Sequence, residues 1–248
     1  MSWKESLKYR INRLRRRLLY SYRAETLRYI RRLNRLGAKI DESVSMSVPE
    51  TVRLDETTPW MLEIGKNVYI AEGVKIMTHD ASWMVLAGED GIARGHIAPV
   101  SIGDNVFLGI DSIVMCNVKI CDNVIVGAGA VVTSSIRTPG VYAGNPARKV
   151  MDLEQMKAVR DSRQLKEALV LAREYQKKYG KFPPREVFDE YFWLFEEKDL
   201  AGLPERFRRQ MTHSGNRKKM EEAFLASEPE FAGYDAFRKW CEERICRE

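Results

Sequence analysis

Residues 102–136 read IGDNVFLGIDSIVMCNVKICDNVIVGAGAVVTSSI, and a branched aliphatic residue returns at every sixth position of this stretch. The aliphatics of this run and of an earlier one are Ile64, Ile70, Ile76, Ile102, Leu108, Val114, Ile120, Val126 and Val132. Such a hexapeptide period predicts a β-helix, in which three hexads form one triangular turn. Each turn then buries its aliphatics on the next turn.

The residue three places after each aliphatic supports the same fold. These nine residues are Asn67, Gly73, His79, Asn105, Asp111, Asn117, Asn123, Gly129 and Ser135. Seven of them are Asn, Asp or Gly, which tolerate the positive φ of a sharp turn. The alternative, an ordinary sheet with regular turns, has strands of period two and does not place turn residues at every sixth position. We therefore predict short strands joined by tight corners, with His79 at one corner.

The repeat is interrupted between Ile76 and Ile102. The gap of 26 residues is about twenty longer than one hexad needs. Loops that leave a rigid solenoid usually build its binding face. We expect the inserted loop, at about residues 80–100, to surround a site that begins at His79.

Composition excludes several classes of protein. The chain has 248 residues, of which 44% are hydrophobic, and no apolar run approaches the ~18 residues of a membrane span. The N-terminus is too charged for the apolar centre of a signal peptide, so we expect a cytoplasmic protein. The four cysteines form neither a disulfide framework nor paired zinc knuckles, and we expect them to be reduced. They are Cys116, Cys121, Cys241 and Cys246.

The first 36 residues carry the basic charge of the chain, with twelve Lys or Arg against two Glu, a net +10. Their apolar residues, among them Leu7, Ile11, Leu14 and Leu18, recur at helical spacing, which predicts a basic amphipathic helical arm over residues 1–37. Residues 1–36 could lie on an anionic membrane at the inner face of the cell membrane, or pack on the protein body. They could also bind nucleic acid, but we expect no nucleic acid partner because no other motif supports one.

The rest of the chain divides into two parts. Residues 38–150 are predicted to form the β-helix domain, beginning with an irregular first turn. Residues 151–248 show helical spacing, and Pro183 and Pro184 separate one helix from another predicted over residues 185–198. This helical C-terminal region shows no recognisable catalytic motif. We expect His213, in a polar stretch of this region, to be a surface residue.

Four motifs in order resemble the hexapeptide-repeat O-acetyltransferases of the galactoside, maltose, nodulation-factor and capsular-polysaccharide type. They are IMTHD at 76–80, IGDNVFLG at 102–109, VGAGAVVT at 126–133 and AGNPAR at 143–148. The resemblance covers about residues 60–150. It implies a left-handed parallel β-helix and a homotrimer with active sites between subunits. It also implies acetyl-CoA as cosubstrate, a carbohydrate acceptor and no metal.

The resemblance also assigns residues to roles. His79 would be the general base, because an imidazole suits the removal of a proton from a sugar hydroxyl near neutral pH. The acetyl-CoA residues would be Gly109, Gly127 and Ala128 along the pantetheine arm, with Thr133, Arg148 and Lys149 near the nucleotide phosphates. The acceptor residues would come from the inserted loop and are Asp80, Trp83 and His96. Asp80 could instead orient His79.

The function predicted from these residues is acetyl transfer to a sugar hydroxyl, in the modification of a bacterial surface polysaccharide such as capsule, O-antigen or a lipid-linked glycan. An N-acetyltransferase of an amino-sugar nucleotide is the alternative. A metal-dependent hydratase like the gamma-type carbonic anhydrases needs three imidazoles on one zinc, and only His79 lies in the predicted coils. A non-catalytic β-helix scaffold would leave His79 and the basic pair Arg148 and Lys149 unexplained.

Overall fold

A computed structural model describes residues 11–12, 14–16, 18–212 and 216–246 of the chain. The protein divides into two compact units, Met1–Leu153 and Glu154–Glu248. In the described part of the chain, no helix combines the length and the apolar character that crossing a bilayer requires.

The N-terminal segment of the first unit differs between its two halves. The described residues between 11 and 20 are helical, and Leu14 and Leu18 among them are 60% and 79% exposed. After a 3-10 turn, helix α1 (Thr26–Arg35) buries one face completely against the strands that follow, and this face consists of Tyr29, Ile30 and Leu33. Of the alternatives predicted for residues 1–36, packing on the protein body is therefore correct for α1. Residues 1–10, which include Leu7, lie outside the described residues.

Short strands after α1 stack into three sheets, and the chain enters the sheets in turn, so that it coils. The first sheet contains β1 (Lys39–Ile40), β4 (Leu62–Ile64), β9 (Val100–Ile102) and β12 (Lys119–Ile120). The second contains β2 (Ser45–Met46), β5 (Tyr69–Ile70), β10 (Val106–Leu108), β13 (Val124–Val126), β15 (Gly140–Ala143) and β16 (Arg148–Met151). The third contains β3 (Arg53–Leu54), β6 (Lys75–Ile76), β11 (Ile113–Val114) and β14 (Val131–Val132). All neighbours pair in parallel except β15 and β16, so the predicted coil of parallel strands is confirmed.

The sixth-position aliphatics form the core of the coil. The register pairs Ile64 with Ile102 in one sheet and Ile76 with Val114 in another, so equivalent residues stack from turn to turn. All nine aliphatics are at most 2% exposed. Burial of one such side chain contributes roughly 1.5–3 kcal/mol, and the repetition of this burial stabilises the stack.

Seven of the nine predicted corner positions have the conformation of a sharp turn, whereas His79 and Ser135 do not have positive φ. The seven Asn, Asp and Gly residues at corner positions all have positive φ, between 53° and 73°. Two of them form a ladder, in which Nδ2 of Asn105 donates to Oδ1 of Asn123 at 2.6 Å. The corner placement of His79 was wrong. The chain leaves the coil at Thr78, and His79 instead pairs with Ile97.

The inserted loop is a small structure of its own. It consists of strand β7 (His79–Asp80), helix α2 (Trp83–Asp90) and strand β8 (His96–Ile97), with β7 and β8 antiparallel. No residue of α2 is buried, and Val85 is 77% exposed. The loop therefore presents apolar side chains to its surroundings.

The second unit is helical and has an aromatic core. It contains α3 (Leu153–Tyr179), α4 (Glu205–Thr212), α5 (Arg217–Ala226) and α6 (Tyr234–Ile245). The prediction of a helix over residues 185–198 was wrong. This stretch contains two 3-10 turns, Arg185–Phe188 and Phe192–Leu194. Aromatic residues are weak helix formers, and burial of Phe188, Phe192 and Phe195 in one core determines the local path. His213 lies outside the described residues.

Candidate active site

His79 and Asp55 form a hydrogen-bonded pair at the point where the inserted loop leaves the coil. Nδ1 of His79 lies 2.6 Å from Oδ2 of Asp55. The His79 side chain is 36% exposed, whereas the Asp55 side chain is only 7% exposed. The imidazole thus contacts a shielded carboxylate through Nδ1, while part of the ring remains exposed to solvent.

Asp55 is held as a carboxylate by several donors. Its Oδ2 accepts from the backbone N–H of Thr78 at 2.9 Å and from the Thr78 hydroxyl at 2.8 Å, and its Oδ1 accepts from the backbone N–H of Thr57 at 3.0 Å. Burial by itself raises the pKa of a carboxyl group. Here the hydrogen bonds from Thr78, Thr57 and His79 outweigh that effect and lower the pKa of Asp55 to about 2.

The charge of Asp55 determines which nitrogen of His79 carries the proton. An ionised carboxylate can only accept hydrogen bonds, so Nδ1 of the neutral imidazole must be the protonated nitrogen. Nε2 then carries a lone pair. The arrangement can therefore accept a proton at Nε2 and stabilise the resulting imidazolium through Asp55.

The N-terminal segment fixes the residues on both sides of Asp55. The Tyr29 hydroxyl of α1 accepts from the backbone N–H of Leu54 at 3.2 Å. On the other side, Glu56 accepts from the Tyr22 hydroxyl at 2.8 Å and forms an ion pair with Arg23. The basic segment thus helps to position the carboxylate that orients His79.

Sequence reasoning missed Asp55. It precedes His79 by 24 residues and lies in a stretch that the hexad pattern describes only as an irregular first turn. Its position follows from the pairing of Leu54 with Ile76, which places the residues after β3 beside those after β6 and is visible only in the structure.

Of the residues predicted on the acceptor side, Asp80 does not orient His79. Its Oδ1 accepts from the backbone N–H of Ser82 at 2.8 Å and from the Ser82 hydroxyl at 2.6 Å, and its partner across the hairpin is His96. Trp83 is half-buried at the start of α2, and His96 is exposed. The structure brings Asp80 and His96 together in the hairpin.

Gly109 and Gly127, predicted along the pantetheine arm, lie where successive coils approach closely. A Cβ at Gly109 would be 2.6 Å from the backbone N of Ala128 and 2.8 Å from the carbonyl O of Val126. A Cβ at Gly127 would be 3.2 Å from Cβ of Ala143. The absence of a side chain at Gly109 is therefore required by the fold itself. Ala128 is exposed beside it.

The predicted phosphate end lies in the last coil. The backbone N–H of Ala147 donates to the Val131 carbonyl at 2.8 Å, which brings the segment before β16 beside the strand that precedes Thr133. Arg148 and Thr133 are exposed. Lys149 forms an ion pair with Asp152, with Nζ 2.5 Å from Oδ1.

Residues 99–134 match the family described as bacterial transferase hexapeptide (six repeats). The resemblance that the sequence motifs indicate is confirmed for this stretch, which contains β9 to β14.

Several known proteins are similar to part of this chain. Protein CapG of Staphylococcus aureus is 41% identical over 97 residues, which are 39% of this chain and 55% of that protein. A 2,3,4,5-tetrahydropyridine-2,6-dicarboxylate N-acetyltransferase of S. aureus strain JH9 is 32% identical over 92 residues, 37% of this chain and 34% of that protein. The chain thus spans about half or less of these relatives.

Among solved structures, a maltose O-acetyltransferase from Clostridium difficile 630 is 25% identical, with a TM-score of 0.42. The match covers 59% of this chain and 87% of that one.

Proposed function

We propose that this hexapeptide-repeat protein transfers the acetyl group of acetyl-CoA to a sugar hydroxyl. The His79–Asp55 pair carries the proposal, because an alcohol is a poor nucleophile near neutral pH and needs a base as it attacks. In the proposed reaction Nε2 of His79 takes the hydroxyl proton while the oxygen bonds to the thioester carbonyl carbon. The C–S bond then breaks, and His79 returns the proton to the departing thiolate. The products are an acetyl ester and the free thiol of coenzyme A.

Asp55 orients His79 throughout this reaction. Its carboxylate keeps the proton of the neutral imidazole on Nδ1 and stabilises the imidazolium that forms when Nε2 is protonated. Backbone N–H groups of the glycine-bearing turns are the proposed donors to the developing oxyanion.

The proposed cofactor residues differ in how they act. The exposed guanidinium of Arg148 is available to nucleotide phosphates, with Thr133 nearby, whereas Lys149 would have to exchange its Asp152 partner. Gly109 and Gly127 act by allowing close coil packing, and this leaves Ala128 as the small residue on the outer wall.

We propose that the coil is left-handed and that three copies assemble with the active site between them. The exposed helix α2 supports this assembly. Met84, Val85 and Leu86 are 64%, 77% and 47% exposed, and a neighbouring copy would cover them. Trp83 would then reach an acceptor at the boundary between two copies.

An N-acetyltransferase is the second candidate, because one relative carries that activity in its name. The site favours the hydroxyl acceptor. A neutral amine attacks a thioester without first losing a proton, so it depends less on a base oriented by a buried carboxylate.

For the biological setting, we propose a bacterial surface polysaccharide or a lipid-linked glycan as acceptor. Of residues 1–36, predicted to contact the membrane, α1 is packed on the body, so we propose peripheral membrane contact through residues 1–20. The described helical part of this segment exposes Ile11, Leu14, Leu18 and Leu19 beside Arg15, whereas Arg16 forms an ion pair with Glu50, with Nη2 2.6 Å from Oε2. A basic helix with exposed leucines suits an anionic lipid surface.

The experiment follows release of the coenzyme A thiol from acetyl-CoA with a panel of short glycans and nucleotide sugars. We expect a product that loses its acetyl group in mild alkaline hydroxylamine, which cleaves esters and leaves amides intact. His79→Ala should lower turnover by about 10²- to 10⁴-fold, while calorimetry shows coenzyme A binding retained. A hydroxylamine-stable product would establish the N-acetyltransferase. A variant that keeps more than about a tenth of the wild-type rate would remove His79 from its role.

A further inference from the structure

Three side chains with metal-binding atoms converge at the base of the inserted hairpin. They are Asp80, His96 and Cys116, and one ligand atom from each lies within 4.8 Å of the other two. Zinc bonds of about 2.0–2.3 Å in a tetrahedron place ligand atoms roughly 3.3–3.8 Å apart. A limit of 4.8 Å is somewhat wider than these distances, so the three side chains would have to close in on a bound ion. Asp80 Oδ1 accepts from Ser82, so Oδ2 is the carboxylate oxygen left for an ion.

The backbone holds two of these residues on one face of the hairpin. Asp80 and His96 are directly opposed in the antiparallel pair, and opposed residues project on the same side. The hairpin is closed at its base, where the backbone N–H of Ala98 donates to the Thr78 carbonyl at 2.9 Å. The carboxylate and the imidazole are thus placed together by main-chain pairing.

The third residue belongs to the coil beneath the hairpin. Cys116 follows β11 and is 8% exposed. The residue before it is held in the coil by a hydrogen bond, in which the Met115 N–H donates to the Val132 carbonyl at 3.0 Å. The Met77 N–H donates to the Val114 carbonyl at 3.0 Å, so the chain leaves the coil for the hairpin beside Cys116. The thiol therefore faces a loop that begins and ends next to it.

We propose that Asp80, His96 and Cys116 bind one Zn²⁺ per chain and that the ion fastens the inserted hairpin to the coil. Thiolate and imidazole ligands favour zinc over magnesium or calcium, which prefer oxygen ligands. Three protein ligands leave a fourth position for water.

The ion would take no part in the proposed acetyl transfer, although two of its ligands, Asp80 and His96, are residues that the resemblance assigns to the acceptor side. Successive residues of a strand project to opposite faces, so the ion would lie on the face of β7 opposite to His79. The ion would hold the strand that begins with His79. It differs from a hydratase centre because Asp80 and Cys116 replace two of the three imidazoles.

The test uses the reduced full-length protein and Co²⁺ as a coloured substitute for Zn²⁺. We expect one Co²⁺ per chain, with a thiolate-to-cobalt charge-transfer band that disappears when Zn²⁺ is added. Cys116→Ala should abolish the band. His96→Ala should weaken Co²⁺ binding by more than about 100-fold. Loss of a residue that only hydrogen-bonds to a metal ligand lowers metal affinity by about 10- to 100-fold, and loss of a ligand itself should cost more.

Cys121→Ala is the matched control, because Cys121 is a partly buried cysteine beside the same core and should leave the band unchanged. If Cys116→Ala does not fold, His96→Ala decides, since His96 is exposed and its loss leaves the core intact. No band in the wild type, or unchanged Co²⁺ affinity in His96→Ala, would overturn the proposal. Neither result depends on acetyl transfer, so failure of this site and failure of the proposed activity remain distinguishable.

Discussion

His79 contacts Asp55 through Nδ1, and this leaves Nε2 for the proposed acceptor. The two residues have different surroundings. His79 is partly exposed, as a proton acceptor must be, whereas Asp55 is shielded and keeps its charge through hydrogen bonds from Thr57 and Thr78. At the residue scale, the candidate chemistry depends on Asp55 as much as on the imidazole.

Asp55→Asn should separate orientation from binding. An amide can donate to Nδ1, which would move the imidazole proton to Nε2 and remove the base, so turnover should fall by about 10²- to 10⁴-fold. The KM for acetyl-CoA should change little. Steady-state rates measure both, and Asp122→Asn is the control, since Asp122 also accepts a backbone N–H, from Asp104. Equal rates in Asp55→Asn and the wild type would contradict the orienting role.

The lowered pKa of Asp55 also predicts acid sensitivity. A carboxyl group whose pKa is about 2 in the folded protein, below its ordinary value near 3.8, stabilises the fold fully above pH ~4. This contribution is lost as the pH falls through about 2. Urea unfolding at several pH values should show that wild type exceeds Asp55→Asn in stability near neutral pH. The difference should shrink between about pH 4 and pH 2. A difference that does not vary with pH would refute the prediction.

At the scale of elements, the coil tolerates little change where its turns approach each other. Gly109→Ala would place a methyl group 2.6–2.8 Å from the backbone of residues 126–128, so the free energy of unfolding should fall by about 1–3 kcal/mol. Gly88→Ala is the control, because Gly88 lies in α2 with no atom within 4 Å of an added Cβ. Alanine favours a helix and should preserve or raise stability there. Denaturant unfolding compares the two variants, and similar losses in both would be inconsistent with this account.

The N-terminal segment should behave as two elements. Removal of residues 1–20 should leave the melting temperature nearly unchanged but abolish low-salt binding to anionic vesicles. Removal of residues 1–36 should also lower the melting temperature and the activity, because it deletes Tyr29, Ile30 and Leu33 from the core and the Tyr29 contact with Leu54. Calorimetry and vesicle sedimentation test these outcomes. Absent vesicle binding by the full-length protein would remove the membrane role, whereas an unchanged melting temperature after removal of residues 1–36 would contradict the packing role.

At the scale of the whole molecule, we expect a trimer that depends on α2. Light scattering should give three chains for the wild type, and Val85→Lys should shift the protein towards smaller species and lower its activity. Val170→Lys is the matched control, since Val170 is also exposed on a helix but lies in the other unit. A fully active wild-type monomer would contradict the assembly.

Much of the coil could be predicted from the sequence because its signals are local and repeated. An aliphatic at each sixth position and a turn residue three places later act within one hexad, and each further hexad adds the same evidence. The buried row from Ile64 to Val132 and the positive-φ corners follow from this pattern. The resemblance to hexapeptide transferases rests on the same residues.

The local repeat was enough to predict the parallel coil and its Asn, Asp and Gly corners, whereas the role of His79 as general base stays a prediction that the resemblance implies. The tertiary structure was needed to show that Asp55 lies within hydrogen-bonding distance of His79, that Asp80 pairs with His96, and that Cys116 lies close to both of them. These contacts join residues from separate turns, and inserted segments shift the spacing between those turns away from the hexad period. The corner prediction for His79 failed for the same reason. His79 pairs with Ile97 at the far end of the inserted loop, and the hexad repeat does not extend into that loop.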